Sequence, residues 1–238
     1  MSVYARTDRR NLDESAPLIA LQDPDTEEVL AHYDGLKAAC EAAVERIFGT
    51  RAAQVRPGLI VGPLDASDRF GYWVAHFRHP QLLGERSPRA VVPAPPERPI
   101  QLVDARDLAA WMVKLAARDD AGAFNACSPA FQWRMGTLVD ALRENAPATP
   151  TPAWIEDEIL TAQGVAPWTG LPLWLSASEP DSAGFRTMDC TRAKSAGLAT
   201  RPLAQTIADA ASWLAMRGNA GAWKHVLTAG VERALVAS

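Results

Sequence analysis

From about Asp25 onward the chain alternates between segments whose apolar residues recur at helical spacing and short apolar runs closed by glycine and proline. That alternation points to an α/β architecture, because a bundle would lack the short runs and a sandwich would lack the helices. Thr26, Glu27 and Glu28 predict a helix start, and the helical pattern runs to Phe48, where Gly49 stops it. Ala52 to Ile60 reads as a buried strand ended by Gly62-Pro63, and Phe70, Trp73, Val74 and Phe77 then repeat at helical spacing. A proline-rich loop from Pro93 to Pro99 leads into a short strand, Ile100 to Val103. Asp107 is expected to open a helix carrying Leu108, Trp111, Met112 and Leu115. Ala123 to Ala126 is strand-like, and Met135 to Glu144, Glu156 to Gln163 and Leu203 to Leu214 are further helix candidates. Pro147 to Pro152 reads as a linker. Trp154, Trp168 and Trp174 follow among prolines and glycines, as a lid or pocket wall or as ordinary packing, the commoner role of tryptophan.

Composition excludes several classes. With 48% apolar and 22% charged residues, the chain buries a substantial core and is not disordered as a whole. Its 28 acidic and 24 basic residues leave a net charge of -4 without long runs of one sign, so nothing attracts a nucleic acid. The longest uncharged stretch, Ile159 to Ser178, is interrupted by Gly164, Pro167, Gly170 and Pro172 and cannot form a continuous membrane helix. Met1 to Arg6 lacks the apolar core of a signal peptide, and a cytoplasmic location is the expectation. Cys40, Cys127 and Cys190 are too widely spaced for a zinc site and read as reduced, buried thiols. His76 and His79 have no third ligand at zinc-like spacing, so no metal is expected.

The residues that carry chemistry lie on the first helix. At 3.6 residues per turn, Leu36, Cys40, Val44 and Ile47 share a stripe with Tyr33 and Lys37. A solvated lysine belongs with Glu41 and Glu45 on the outer face, and a buried ammonium costs several kcal/mol unless it is compensated. A site that needs the lysine explains its place; a packed stem with its head in water is the structural alternative. An ammonium one helical turn from a phenol favours the phenolate, and such a tyrosine can exchange a proton with a substrate hydroxyl while hydride moves to or from a nicotinamide. Alone, one Tyr-x-x-x-Lys match among three tyrosines and four lysines is weak.

More of the chain supports it. Tyr33-x-x-x-Lys37, Arg56-Pro57-Gly58 and Gly62-Pro63 together resemble the extended short-chain dehydrogenase/reductase family, of the NAD-dependent epimerase and dehydratase type. The run from Pro99 through Asp104 to Asp107 is similar to that family's late strand and helix start, and Asp104 and Asp107 are read as capping residues. Gly122 to Asn125 resembles its Gly-x-x-Asn strand, and Ala196 to Leu203 its closing segment. The family's opening Gly-x-x-Gly-x-x-Gly turn, which binds the cofactor pyrophosphate at a helix N-terminus, is not among the 238 residues. The serine or threonine of the family's catalytic set would fall just ahead of Met1, so Ser2 is not that residue.

The resemblance implies the C-terminal part of a doubly wound, Rossmann-type parallel sheet with a smaller mixed α/β substrate domain. Residues 1–64 and 98–128 would be the Rossmann remnant, and residues 65–97 and 129–238 the substrate-binding part. The strands near Val55 and Leu102 would be its last two parallel strands. Tyr33 would be the acid/base and Lys37 would bind the nicotinamide ribose of NAD or NADP, with Arg56, Pro57, Gly58, Leu59 and Ile60 lining the nicotinamide pocket. Arg98 and Trp73 would face the substrate, Arg98 toward an anionic group. The implied activity is oxidoreductase, epimerase or dehydratase chemistry at a hydroxyl or carbonyl carbon of a small molecule, in a truncated chain expected to be inactive by itself. A misplaced start, a split gene or a true loss would each account for the missing turn. The implied partners are a small-molecule substrate and either a homo-oligomer or a separately encoded N-terminal half. The alternative is a non-catalytic binding or assembly module derived from the family.

Overall fold

A computed structural model describes residues 2–237 apart from 24, 119, 145, 147–148, 180 and 219–221. Met1, on which the misplaced-start expectation leans, lies outside the described residues. In chain order the elements are α1 (Val29–Phe48), β1 (Ala53–Pro57), β2 (Leu59–Val61), α2 (Arg69–Arg78), β3 (Arg89–Pro93), β4 (Pro99–Ile100) and β5 (Leu102–Asp104). They continue with α3 (Ala105–Ala117), β6 (Gly122–Ala126), β7 (Trp133–Arg134), α4 (Met135–Arg143), β8 (Thr151–Ile155) and α5 (Asp157–Ala162). The last are α6 (Ser182–Phe185), α7 (Thr191–Ser195), α8 (Leu203–Arg217) and α9 (Ala229–Ala237). No helix among the described residues is long and apolar enough to cross a membrane.

The chain forms two compact units. The first contains Met1–Leu59, Gln101–Ala130 and Pro180–Thr200. Its sheet pairs β1 with β6 in parallel, Val55 opposite Phe124. Asp104, three residues ahead of the predicted start, caps α3: its Oδ1 accepts the backbone N–H of Arg106 at 2.9 Å, while Asp107 sits in the first turn, where a carboxylate suits the helix dipole. Leu108, Trp111 and Leu115 of α3 are buried and Met112 is exposed. Trp111 meets the ring of Phe124 edge-on at 5.6 Å and donates its indole N–H to the Ala196 carbonyl, tying β6 and the segment after α7 to α3. A second cluster gathers Val3, Tyr4, Leu12, Ala38, Cys127, Met188 and Cys190.

The second unit contains Ile60–Ile100, Phe131–Glu179 and Arg201–Ser238. Every residue from Phe70 to Phe77 of α2 is buried, as befits a helix that is apolar on nearly all sides, and α4 and α8 pack against it. The stripe of Leu203, Ile207, Ala210 and Leu214 on α8 faces inward as its spacing predicts. β3 pairs in parallel with β8, Val91 opposite Ala153, and β4 pairs antiparallel with β7. Thr151 and Pro152 therefore belong to a strand and not to a linker; proline is tolerated there because, among the described residues, β8 has a strand neighbour on one side only. Pro147 and Ala148 of the predicted linker lie outside the described residues.

Candidate functional site

The helix α1 is held to the first unit by small residues and one ion pair. A Cβ at Gly35 would come within 2.5 Å of the Leu21 side chain, so glycine permits the close approach, and Ala38 one turn later is also buried. Next on that side, Glu41 accepts from Arg56 Nε at 3.0 Å through Oε1 and from NH2 at 2.7 Å through Oε2. Glu41 is thus turned inward and is not on the solvated face expected of it. Arg56 also donates to Tyr4 Oη at 3.0 Å, its guanidinium lies 5.1 Å from the Tyr4 ring, and Tyr4 in turn donates to Asn125 Oδ1 at 2.6 Å. Burial raises the Tyr4 phenol above its ordinary range, while Arg56 and Asn125 pull it back. Arg56 is committed to this buried network, which links α1, β1 and β6. The sequence carried no signal for Glu41, whose partner lies fifteen residues away on another element.

With that face turned in, the stripe of the pair is turned out. Tyr33 is 51% exposed, and Lys37, Cys40, Val44 and Ile47 are exposed as well. Gly35 and Ala38, and not the stripe that carries Lys37, form the inner line of α1, and Lys37 is exposed. The two chemical groups do come together, with Lys37 Nζ 5.7 Å from the centroid of the Tyr33 ring. A break in helical geometry at His32 immediately precedes Tyr33. Pro57, Gly58 and Leu59 continue from β1 and are half-buried, Gly58 donating its N–H to the Ala126 carbonyl at 3.1 Å, and Ile60 begins the second unit with an exposed side chain.

Arg98 and Trp73 belong to the second unit. The Arg98 guanidinium is buried against the Asp157 carboxylate and donates to the Ala94 and Leu175 carbonyls. Asp157 also accepts the Trp174 indole N–H at 2.8 Å and the Ala177 N–H at 2.6 Å, so the three segments are stitched around one carboxylate. Trp73 is fully buried and donates its indole N–H to the Pro172 carbonyl at 3.0 Å. Trp174 is core, whereas Trp154 and Trp168 are half-buried.

Of the groups a nicotinamide cofactor would require, the residues present fit one end. The Tyr33 hydroxyl and the Lys37 ammonium are accessible donors suited to a ribose, but no glycine-rich turn exists in the sequence to receive a pyrophosphate. Among the described residues no group of three or more His, Cys, Asp or Glu is placed to hold a metal ion.

No family model matches the chain, and no curated protein matches it. Solved structures do match in fold. The UDP-glucuronic acid 4-epimerase from Bacillus cereus in complex with NAD is 11% identical with a TM-score of 0.56, over 90% of this chain and 59% of that one. RMD from Pseudomonas aeruginosa complexed with NADPH is 14% identical with a TM-score of 0.55, over 91% and 64%. The Bordetella bronchiseptica enzyme WbmG in complex with NAD and UDP is 12% identical with a TM-score of 0.57, over 92% and 58%. The chain spans about 60% of the length of such structures. Its parallel strand pairs and flanking helices therefore share the Rossmann-type α/β fold of those structures, over about 60% of their length.

Proposed function

We propose that this chain is the acid/base and substrate-binding part of an NAD(P)-dependent oxidoreductase, epimerase or dehydratase acting at a hydroxyl or carbonyl carbon of a small molecule. The observation that carries the reading is Tyr33 beside Lys37 on α1, one turn apart and both reachable from solvent, in a chain with the fold of nucleotide-cofactor enzymes. When bound, the nicotinamide supplies or accepts the hydride. The Tyr33 hydroxyl gives or takes the proton at the substrate oxygen, and Lys37 holds the ribose while its charge stabilises developing phenolate. Pro57 to Ile60 form the wall on which the nicotinamide rests, residues 1–64 and 98–128 are what remains of the cofactor domain, and residues 65–97 and 129–238 receive the substrate. The exposed face of α1 and the open edge of β1 are covered by an α/β segment that carries the glycine-rich turn.

The test supplies that segment. The part of the Bacillus cereus epimerase that this chain does not match is joined ahead of Ser2, and NADH binding is followed by fluorescence. The chain alone is expected to bind no NADH and to turn over no substrate; the fusion is expected to bind it, with Lys37→Ala weakening binding by about tenfold or more. Equal binding by the Lys37→Ala fusion would refute the assignment. A second reading, a non-catalytic binding or assembly module, is favoured by the absence of that turn from the sequence; a well-folded fusion that ignores both NADH and NADPH would select it.

A further inference from the structure

The arginine that the family resemblance aims at an anionic substrate group is not available for one. Arg98 is 4% exposed, and its guanidinium is committed inside the second unit. Nε donates to the Ala94 carbonyl at 3.0 Å, NH1 to the Leu175 carbonyl at 2.8 Å, and NH2 to Ala94 and to the Asp157 carboxylate. Asp157 also accepts from the Trp174 indole and the Ala177 N–H, so drawing Arg98 away toward a ligand would strand a buried carboxylate. Arg69, at the start of α2, lies with its guanidinium 5.7 Å from the Trp168 ring centroid and its Nε buried. The Asp65 charge acts on the same guanidinium, so an anion placed there would meet a carboxylate as well as an arginine. A phosphate or carboxylate entering among these groups would lose its hydration without gaining a counter-charge of its own.

What this unit holds out to solvent instead is a leucine. The loop from Val61 to Asp68 is fixed on both sides of it: Val61 and Gly62 are buried, Asp65 Oδ1 accepts the Ser67 N–H at 2.8 Å, and the buried Asp68 accepts from Arg217 and, at 2.9 Å, from the Lys224 N–H. Leu64 stands between these anchors with φ at +67°, a left-handed conformation that is costly for a leucine, and with its side chain 77% exposed. Glycine or asparagine would suit both the backbone and the water better, so a leucine there gains only from an apolar group laid against it. The preceding exposed side chain is Ile60, at 41%, and it belongs to the Pro57 to Ile60 wall. Both residues follow the carboxyl end of β1, the end beyond which open α/β sheets hold their ligands. Granted the NAD(P) reading, on which this rests, we infer that the substrate is an uncharged, apolar ketone or alcohol that lies against Ile60 and Leu64, and not a nucleotide sugar.

Ligand-observed saturation-transfer NMR of the full chain tests it with three probes: acetophenone, a neutral ketone; 4-acetylbenzoate, the same ketone carrying a carboxylate; and UDP-glucose. Acetophenone is expected to bind saturably and about tenfold or more tighter than either charged probe, with an affinity unchanged between about 0.05 and about 0.5 M salt. Leu64→Asn is expected to weaken acetophenone binding by about tenfold while the thermal transition stays at or above its wild-type position, because asparagine tolerates the left-handed backbone. Absence of saturable acetophenone binding, equal or tighter binding of 4-acetylbenzoate or UDP-glucose, or unchanged acetophenone binding in Leu64→Asn would each overturn the inference. None of those outcomes touches the NAD(P) reading, which stands or falls on NADH binding by the fusion.

Discussion

At the scale of single residues, burial sorts groups that look alike in the sequence. Cys127 and Cys190 are buried, and burial raises both thiols, Cys190 to about 12, whereas Cys40 lies on the exposed face of α1. The thiolate is the reactive form, so the native protein should consume one equivalent of a thiol reagent quickly and two more only in denaturant. Cys40→Ser should remove the fast phase, and fast labelling that survives it would contradict this burial pattern. The tyrosines give a pH dependence. Burial raises Tyr4 and Tyr72, with the Glu232 charge adding to the effect at Tyr72. The folded chain therefore keeps two phenolic protons that the unfolded chain releases near pH 10, and stability that is present below about pH 10 should fall as pH rises past it. Denaturant melts between about pH 9 and about pH 11 would show the decline, and a flat profile would rule it out.

At the scale of elements, the question is what fixes the azimuth of α1. Gly35 and Ala38 allow the approach and the Glu41–Arg56 pair locks it, which sets Tyr33 and Lys37 outward together. Removing one partner of a buried pair strands the other, so Arg56→Met should cost about 3 kcal/mol, and Arg56→Met combined with Glu41→Leu should recover much of that loss. Chemical denaturation of the two variants checks the sign; a double variant less stable than Arg56→Met would show that the network holds α1 in some other way. The same pair explains why the helical projection misassigned Glu41: periodicity places residues on faces but does not say which face meets the core.

At the scale of the whole molecule, α1 presents Leu30, Tyr33, Val44, Ile47 and Phe48 to solvent, Ile47 at 66%, and among the described residues β1 has a strand neighbour on one edge only. Apolar area left in water forgoes about 25 cal/mol per Å², and an open parallel edge invites pairing. The purified chain should therefore self-associate with a concentration-dependent elution volume, and Val44→Lys with Ile47→Glu should reduce that association without lowering the unfolding midpoint. A wild-type chain that elutes as a monodisperse monomer at all concentrations would contradict the prediction.

Local pattern determined the α/β class, the helices at Phe70, Leu138 and Leu203, the Gly49 stop and the Tyr33–Lys37 pair, because periodicity, caps and one-turn spacing are properties of neighbouring residues. Strand pairing was decided only by tertiary structure. The partner of Val55 is set by which strand docks beside it, and β8 hid because Pro150 and Pro152 break up the start of its short apolar run, Ala153 to Ile155. The inward turn of Glu41 onto Arg56, the capture of Arg98 by Asp157 and the His76–Glu232 cluster each join residues far apart in sequence. A buried charge is tolerable only beside its counter-charge, and the chain order does not record which distant residue the fold will bring there.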